Sequence, residues 1–202
     1  GIYKHNQTEK HQIEISDKFY SYGWRKSGKK NIISMPSLQL STFDYVKPQH
    51  NGYLINIMAS LPKYFYCLYS VPIGPEYLEY IDLQKKLSIL LKKDISNRLI
   101  HRLNGDNYGW DASNLLKERG LKTCNYSKPL KQQLNKSSLC ISSSNGTAAL
   151  QILSINFPTI LYWPKNLFQI RKDSNYFLKN LADVGIYHTT PESAARVAAV
   201  PL

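Results

Sequence analysis

The sequence has no G-x-G-x-x-G, no G-x-x-x-x-G-K-[ST], no G-x-S-x-G and no H-E-x-x-H. Their absence leaves no support for the usual dinucleotide fingerprint, the phosphate loop of ATPases, the nucleophile elbow of hydrolases or the zinc-peptidase helix. Histidine is sparse, and His5, His11, His50, His101 and His188 are scattered without metal-ligand spacing. Cysteine is sparser still: Cys67, Cys124 and Cys140 are an odd number with no C-x-x-C spacing, and two of them lie in apolar segments. They read as buried reduced thiols, so neither a disulfide scaffold nor a structural zinc site is expected. There is no run of eighteen apolar residues, and the opening "GIYKHNQTEKHQIEISDK" lacks the apolar stretch of a secretory signal. A cytoplasmic location is expected.

Acidic side chains are also in short supply, with 14 Asp and Glu against 26 Lys and Arg and a formal charge of +12. Such an excess invites a nucleic-acid reading, but its distribution argues otherwise. Residues 1–52 carry eight basic and four acidic side chains and the rest carry eighteen and ten, so the surplus forms no stripe. It reads as a solvated surface, and no specific nucleic-acid partner is expected. An RNA-binding domain is kept only as a lesser alternative.

What the chain does have is alternation. "YLINIMAS" (53–60) reads as a buried strand, and 76–93 places Leu78, Ile81, Leu83, Leu87, Leu90 and Leu91 at broadly helical spacing. "RLIHRLN" (98–104) is a second strand, followed by a short helix that ends at Gly120. "KTCNYS" (122–127) is a third strand and "PLKQQLNKS" a small helix. "SLCISS", "GTAALQILSIN", "PTILYW", a helix over 166–184, "IYHT" and "PESAARVAAV" continue the rhythm. The fold class this predicts is α/β, a Rossmann-like parallel sheet with helices on both faces, over 53–202. Residues 1–52 stand outside the rhythm and are too few for a core of their own. They read as a connecting segment that packs on the domain, or as the remnant of an upstream domain; the start at Gly1 rather than Met fits the second idea.

Two loops fall at strand ends, where such sheets bind ligands. In "SSSNGT" (142–147) the small polar residues could simply cap a helix. Equally, they could leave the helix amides free to hold a phosphate. In "RLNGDNYGWD" (102–111) a cation, two carboxylates, two amides and two aromatics surround two glycines. That loop could pair a phosphate and stack on a base or sugar, or it could be a structured turn with Trp110 plugging the core.

Taken together, "RLNGDNYGWD" and "CISSSNGTAALQILSINFPTILYW" resemble a bacterial family of surface-carbohydrate biosynthesis transferases. Its pattern runs R-L-x-x-x-D-Y-G-W-D and later V-I-S-T-x-N-x-T-x-x-L-E-x-L-x-x-N-I-P-T-I-x-F-W. The likeness extends through "FQIRKD", where Arg171 matches, and "LKNLADVGIYHTTPESAARV". It is also visible in "ISDKFYSYGW" and "SVPIGPEYLEY". The family is similar to glycosyltransferases built from two Rossmann domains (the GT-B type), and this chain looks like their C-terminal, donor-binding half.

The resemblance implies that Ser143, Ser144, Asn145, Gly146, Thr147, Arg102 and Arg171 hold the donor's phosphates. It likewise implies that Asp106, Asn107, Tyr108, Trp110 and Gln151 contact the nucleotide or sugar. Asn107 replaces a family acid, Gly105-Asp106 replaces a Pro-His-like pair and Gln151 replaces a glutamate, which removes the charge that ionised roles at 107 and 151 would need.

The implied reaction is transfer of a sugar from a nucleotide-activated donor onto a growing surface glycan or lipid-linked acceptor. No bound metal or cofactor is implied, the nucleotide-sugar being a substrate, and peripheral association with the inner membrane surface would suit the role. The catalytic base is unassigned, because in two-domain enzymes it often comes from the N-terminal half. A non-catalytic nucleotide- or glycan-binding module is the alternative.

Overall fold

The computed structural model describes residues 7–64, 71–103, 105, 107–124 and 127–199. In chain order these form α1 (Gln7–Ile15), β1 (Phe19–Tyr22), β2 (Ile32–Met35), α2 (Leu38–Ser41), β3 (Tyr53–Ile57), α3 (Glu76–Leu90) and α4 (Lys93–Arg98). There follow β4 (Leu99–Arg102), α5 (Ala112–Glu118), α6 (Leu130–Leu134), β5 (Ser137–Ser142), α7 (Thr147–Ser154), β6 (Thr159–Tyr162), α8 (Asn175–Asp183), β7 (Tyr187–His188) and α9 (Pro191–Ala198).

The fold is α/β, with a five-stranded, wholly parallel sheet in the order β4-β3-β5-β6-β7. Strands buried on both faces need apolar side chains at successive positions rather than alternate ones, and β3 and β5 have them. Leu54, Leu139, Ile141, Ile160 and Tyr162 pack on one face against Leu87 of α3, Ile95 of α4 and the small residues Ala194, Ala195 and Ala198 of α9. Ile55, Ile57 and Cys140 pack on the other against Leu134 of α6 and Ile152 of α7. Val46 and Phe43 join this second layer, so part of the segment before β3 covers the sheet.

Two elements differ from the pattern read in the sequence, and a third is described only in part. Of "KTCNYS", the described residues 122–124 show a single parallel bridge, Thr123 to His101, held by His101 N–H to Lys122 C=O (2.8 Å) and Cys124 N–H to His101 C=O (3.0 Å). Asn125 and Tyr126, its continuation, lie outside the described residues, as does Cys67. The helix expected over 166–184 begins only at Asn175, after a 3-10 turn at Lys172–Ser174. The stretch before it closes only a single turn, Phe168 N–H to Pro164 C=O (3.1 Å), and sets Leu167 and Phe168 into the core. The helix expected over 76–93 stops at Leu90, and a separate α4 takes in Arg98, the first residue of the predicted second strand.

Numbered from β3, with Thr123 counted as the third position outside β4, the strand order is 3-2-1-4-5-6. That is the order of doubly wound nucleotide-binding sheets, whose ligand crevice opens where the order reverses. Here the reversal lies between β3 and β5, and the loop leaving β5 is "SSSNGT".

Candidate functional site

Two loops are tied together at the crevice by a buried tyrosine. On α3 the residues turned inward are Tyr77, Tyr80, Ile81, Gln84 and Leu87, a clean helical stripe. Tyr80 is fully buried, and its phenol accepts from Ala59 N–H (2.9 Å), just beyond β3, and meets Ser143 Oγ at 2.8 Å, just beyond β5. Ser143 has one hydroxyl proton, which it donates to Ile57 C=O (3.2 Å), so Tyr80 must donate to Ser143. The chain of donors therefore runs Ala59 N–H, Tyr80 O–H, Ser143 O–H, Ile57 C=O. Burial holds the Tyr80 phenol well above its ordinary range, so this relay does not ionise.

Ser143 is thus wholly buried and its hydroxyl is engaged; its role in the geometry is to fix the loop. Ser142 is likewise buried, donating to Ser144 C=O (3.1 Å). No side chain caps α7. Its N-cap is Gly146 in extended conformation, so the capping reading of "SSSNGT" does not hold. No described side chain accepts from the first turn of the helix, where Ala149 N–H bonds Gly146 C=O (3.2 Å) and Thr147 is exposed. A Cβ placed on Gly146 would sit 3.6 Å from Ser144 Oγ, which brings that half-buried hydroxyl alongside the helix start. Asn145 is 6% exposed, and its Nδ2 is buried with no acceptor. Gln151 lies one turn further along α7 and is half-buried.

The loop after β4 is built differently. Asn107 Oδ1 accepts from Gly109 N–H (3.0 Å) and Asp111 N–H (3.3 Å), folding the chain on itself, while Gly109 and Asp111 adopt left-handed backbone at φ 87° and 49°. Asp111 accepts from Asn114 Nδ2 (2.6 Å). Trp110 is half-buried against Tyr77, with ring centroids 5.3 Å apart, and Lys63 Nζ stands 5.4 Å from its ring. The Trp110 Nε1 is buried and has no acceptor. Ser60, Leu61, Tyr77, Leu103, Tyr108 and Trp110 help line a small cleft of about 70 Å³. Asp106 lies outside the described residues.

The two arginines are placed elsewhere. Arg102 turns to α6, donating to Lys128 C=O (3.0 Å) and to Gln133 Oε1. Arg171 donates to Glu9 Oε1 of α1 (2.6 Å) and lies 3.5 Å from Asp173. In this arrangement neither guanidinium is brought to the start of α7. Tyr80, Tyr77 and Lys63 are the residues that sequence reading missed. The i, i+3 tyrosines in "PEYLEY" were the available signal for the first two, since that spacing puts both on one helix face.

Beneath the site, Asn56 Nδ2 donates both to Gln84 Oε1 and to His101 Nδ1 (3.0 Å each). The imidazole therefore carries its proton on Nε2, and burial lowers its pKa to about 4. Among the described residues no three His, Cys, Asp or Glu come together in a metal-holding group, and no helix is long and apolar enough to cross a membrane.

The chain matches the family described as LIC12162 family transferase over residues 1–200, and it belongs to that family. No protein of curated function matches it.

Proposed function

We propose that this member of a transferase family is a glycosyltransferase, or the donor-binding half of one of the GT-B type, that moves a sugar from a nucleotide-activated donor onto a bacterial surface glycan. One observation carries the reading. At the carboxyl ends of β4 and β5, on either side of the strand-order reversal, two buried donors, Trp110 Nε1 and Asn145 Nδ2, have no acceptor, and the uncapped α7 begins beside one of them. Buried donors are normally paired, and oxygen-rich anions are the ligands that helix starts of this kind accept.

The donor's diphosphate would sit at Ser144, Asn145, Gly146 and Thr147, where amides and the helix end stabilise charge growing on the leaving nucleotide. Base or sugar would lie along Tyr108 and Trp110, with Gln151 at the edge. Arg102 and Arg171 would join only by leaving their present partners. No base is assigned, and metal-independent transfer in the cytoplasm remains part of the same proposal.

The test is thermal. Nucleoside diphosphates should raise the melting temperature, because a ligand that binds only the folded state stabilises it by mass action. Thr147→Val removes an exposed hydroxyl that caps nothing, so it should abolish the shift while changing the unliganded protein by no more than about 0.5 kcal/mol. Turnover of a nucleotide-sugar by the chain then separates an enzyme from a binding module. An undiminished shift in Thr147→Val would remove the α7 start from the site.

A further inference from the structure

The segment before β3 carries a surface that the proposed sugar-transfer site does not use. β1 and β2 form a separate two-stranded parallel ribbon, in register Phe19 to Ile32, Tyr20 to Ile33, Ser21 to Ser34 and Tyr22 to Met35. Side chains paired in this way share a face. Ser21 and Ile32 are buried on the inner face, whereas Tyr20, Tyr22 and Met35 on the outer face are 57, 77 and 41% exposed. Ile15, at the end of α1, and Leu38, at the start of α2, are exposed as well, and Asn31 Nδ2 pins the α1 end to the ribbon through Ile13 C=O and Ser16 C=O.

The loop joining the two strands begins with a tight turn at Gly23, where Ser21 Oγ donates to Trp24 C=O, and then presents exposed Arg25, Lys26, Lys29 and Lys30. From Ile15 to Leu38 there are five basic side chains and one acidic, Asp17. None of the five is in an ion pair among the described residues.

We infer that the outer face of the β1–β2 ribbon and its basic loop dock the protein on an anionic lipid bilayer. Tyrosines suit the headgroup level, with ring inward and hydroxyl in the wet layer, and Met35, Ile33 and Leu38 add aliphatic surface beside them. The four loop cations, in no ion pair among the described residues, complement a negative leaflet, and their long stems let the charges stay at the phosphate plane. Durable attachment to a membrane takes two signals, and this ribbon holds both the apolar and the cationic one. Single-stranded RNA would also use rings and cations, but it stacks bases on aromatic faces in a groove. Here the surface is a two-stranded ribbon whose outward residues are half aliphatic.

The experiment is co-sedimentation of the 202-residue chain with phosphatidylcholine vesicles and with vesicles that also contain phosphatidylglycerol. Binding is expected only to the anionic vesicles. The quadruple variant Arg25→Gln, Lys26→Gln, Lys29→Gln, Lys30→Gln should weaken it by more than about tenfold with an unchanged melting temperature. Tyr20→Ser with Tyr22→Ser should remove the part of the binding that survives high salt. No binding to anionic vesicles, or parental binding by both variants, overturns the inference. So does competition by single-stranded RNA, or self-association of the chain that the tyrosine variant abolishes, since either would name a different occupant. The nucleotide-dependent rise in melting temperature is independent of all these outcomes.

Discussion

The loops that leave β4 and β5 have similar polar composition and opposite internal arrangement. After β4, Asn107 folds the backbone onto its own oxygen, Asp111 pairs with Asn114 and Arg102 turns away to α6, so the polar atoms are largely spent on the protein. After β5, two serines are spent on fixing the loop, and what they fix is the unpaired Asn145 Nδ2 beside the start of a helix that no side chain caps. Composition alone cannot tell a loop that holds itself from one prepared to hold something else. Among the described residues each loop keeps one unpaired buried donor, Trp110 Nε1 after β4 and Asn145 Nδ2 after β5. The difference is what surrounds it: polar groups bonded to one another after β4, and the start of α7 with no side-chain cap after β5.

The anchors beneath the two loops also differ, and acid should expose this with the largest effect. The β4 side rests on His101, whose Nδ1 accepts from Asn56 and whose buried ring is held neutral, with a pKa lowered by burial to about 4. Above pH 6.5 neither folded nor unfolded imidazole is charged, and nothing is lost. As pH falls from 6.5 towards 4 the unfolded chain takes up a proton that the native state refuses, so stability drops by about 1.4 kcal/mol per unit, roughly 3 kcal/mol in all. The β5 side rests on the Tyr80–Ser143 relay, which does not titrate in this range. Urea midpoints at pH 7 and pH 4.5 measure the loss, and His101→Gln, which keeps an acceptor but cannot titrate, should flatten it. Equal acid sensitivity in His101→Gln would place the lost stability elsewhere.

Tyr80→Phe is the next largest break. It leaves Ala59 N–H and Ser143 Oγ without their buried partner, a cost of about 1–3 kcal/mol. Because one hydroxyl joins both strand ends, Tyr80→Phe and Ser143→Ala should be coupled by about 0.5–3 kcal/mol in a double-mutant cycle, and simple additivity would show that the relay does not act as a unit.

Much of the fold was legible, for a local reason. The apolar runs of β3, β5 and β6 and the caps of α9, where Thr190 accepts from Ser193 N–H and Pro191 opens the helix, are written in adjacent residues. What escaped was set by distant partners. The Asn56–Gln84–His101 cluster joins residues 28 and 45 positions apart, so Gln84 interrupts an otherwise apolar stripe for a reason no window reveals. The site divides the same way. The position of "SSSNGT" beyond a strand followed from alternation, and the structure bears that out. The roles of Arg102 and Arg171 came from the resemblance, and a cation's present partner is chosen by packing: Gln133 and Lys128 for one, Glu9 for the other.

The finest test sets two asparagines against each other. Asn107→Ala removes the acceptor of two loop amides in an exposed setting where water can replace it, so a stability loss of about 1 kcal/mol is expected. The loop would loosen, and with it the contacts proposed for Tyr108 and Trp110, but the groups beyond β5 would be untouched, so the nucleoside-diphosphate shift in melting temperature should shrink without vanishing. Asn145→Ala should do the reverse. In the unliganded protein it removes a buried donor that had no acceptor, which offsets the lost packing of a small side chain, and stability should change by no more than about 1 kcal/mol in either direction. With ligand present it removes one of the few contacts made only in the complex, and the thermal shift should fall or vanish. Differential scanning fluorimetry with and without nucleoside diphosphate reads both variants in one experiment. If Asn145→Ala is costly without ligand and responds normally to it, Asn145 is a structural residue whose partner is protein, and the contrast between the two loops fails at its most specific point.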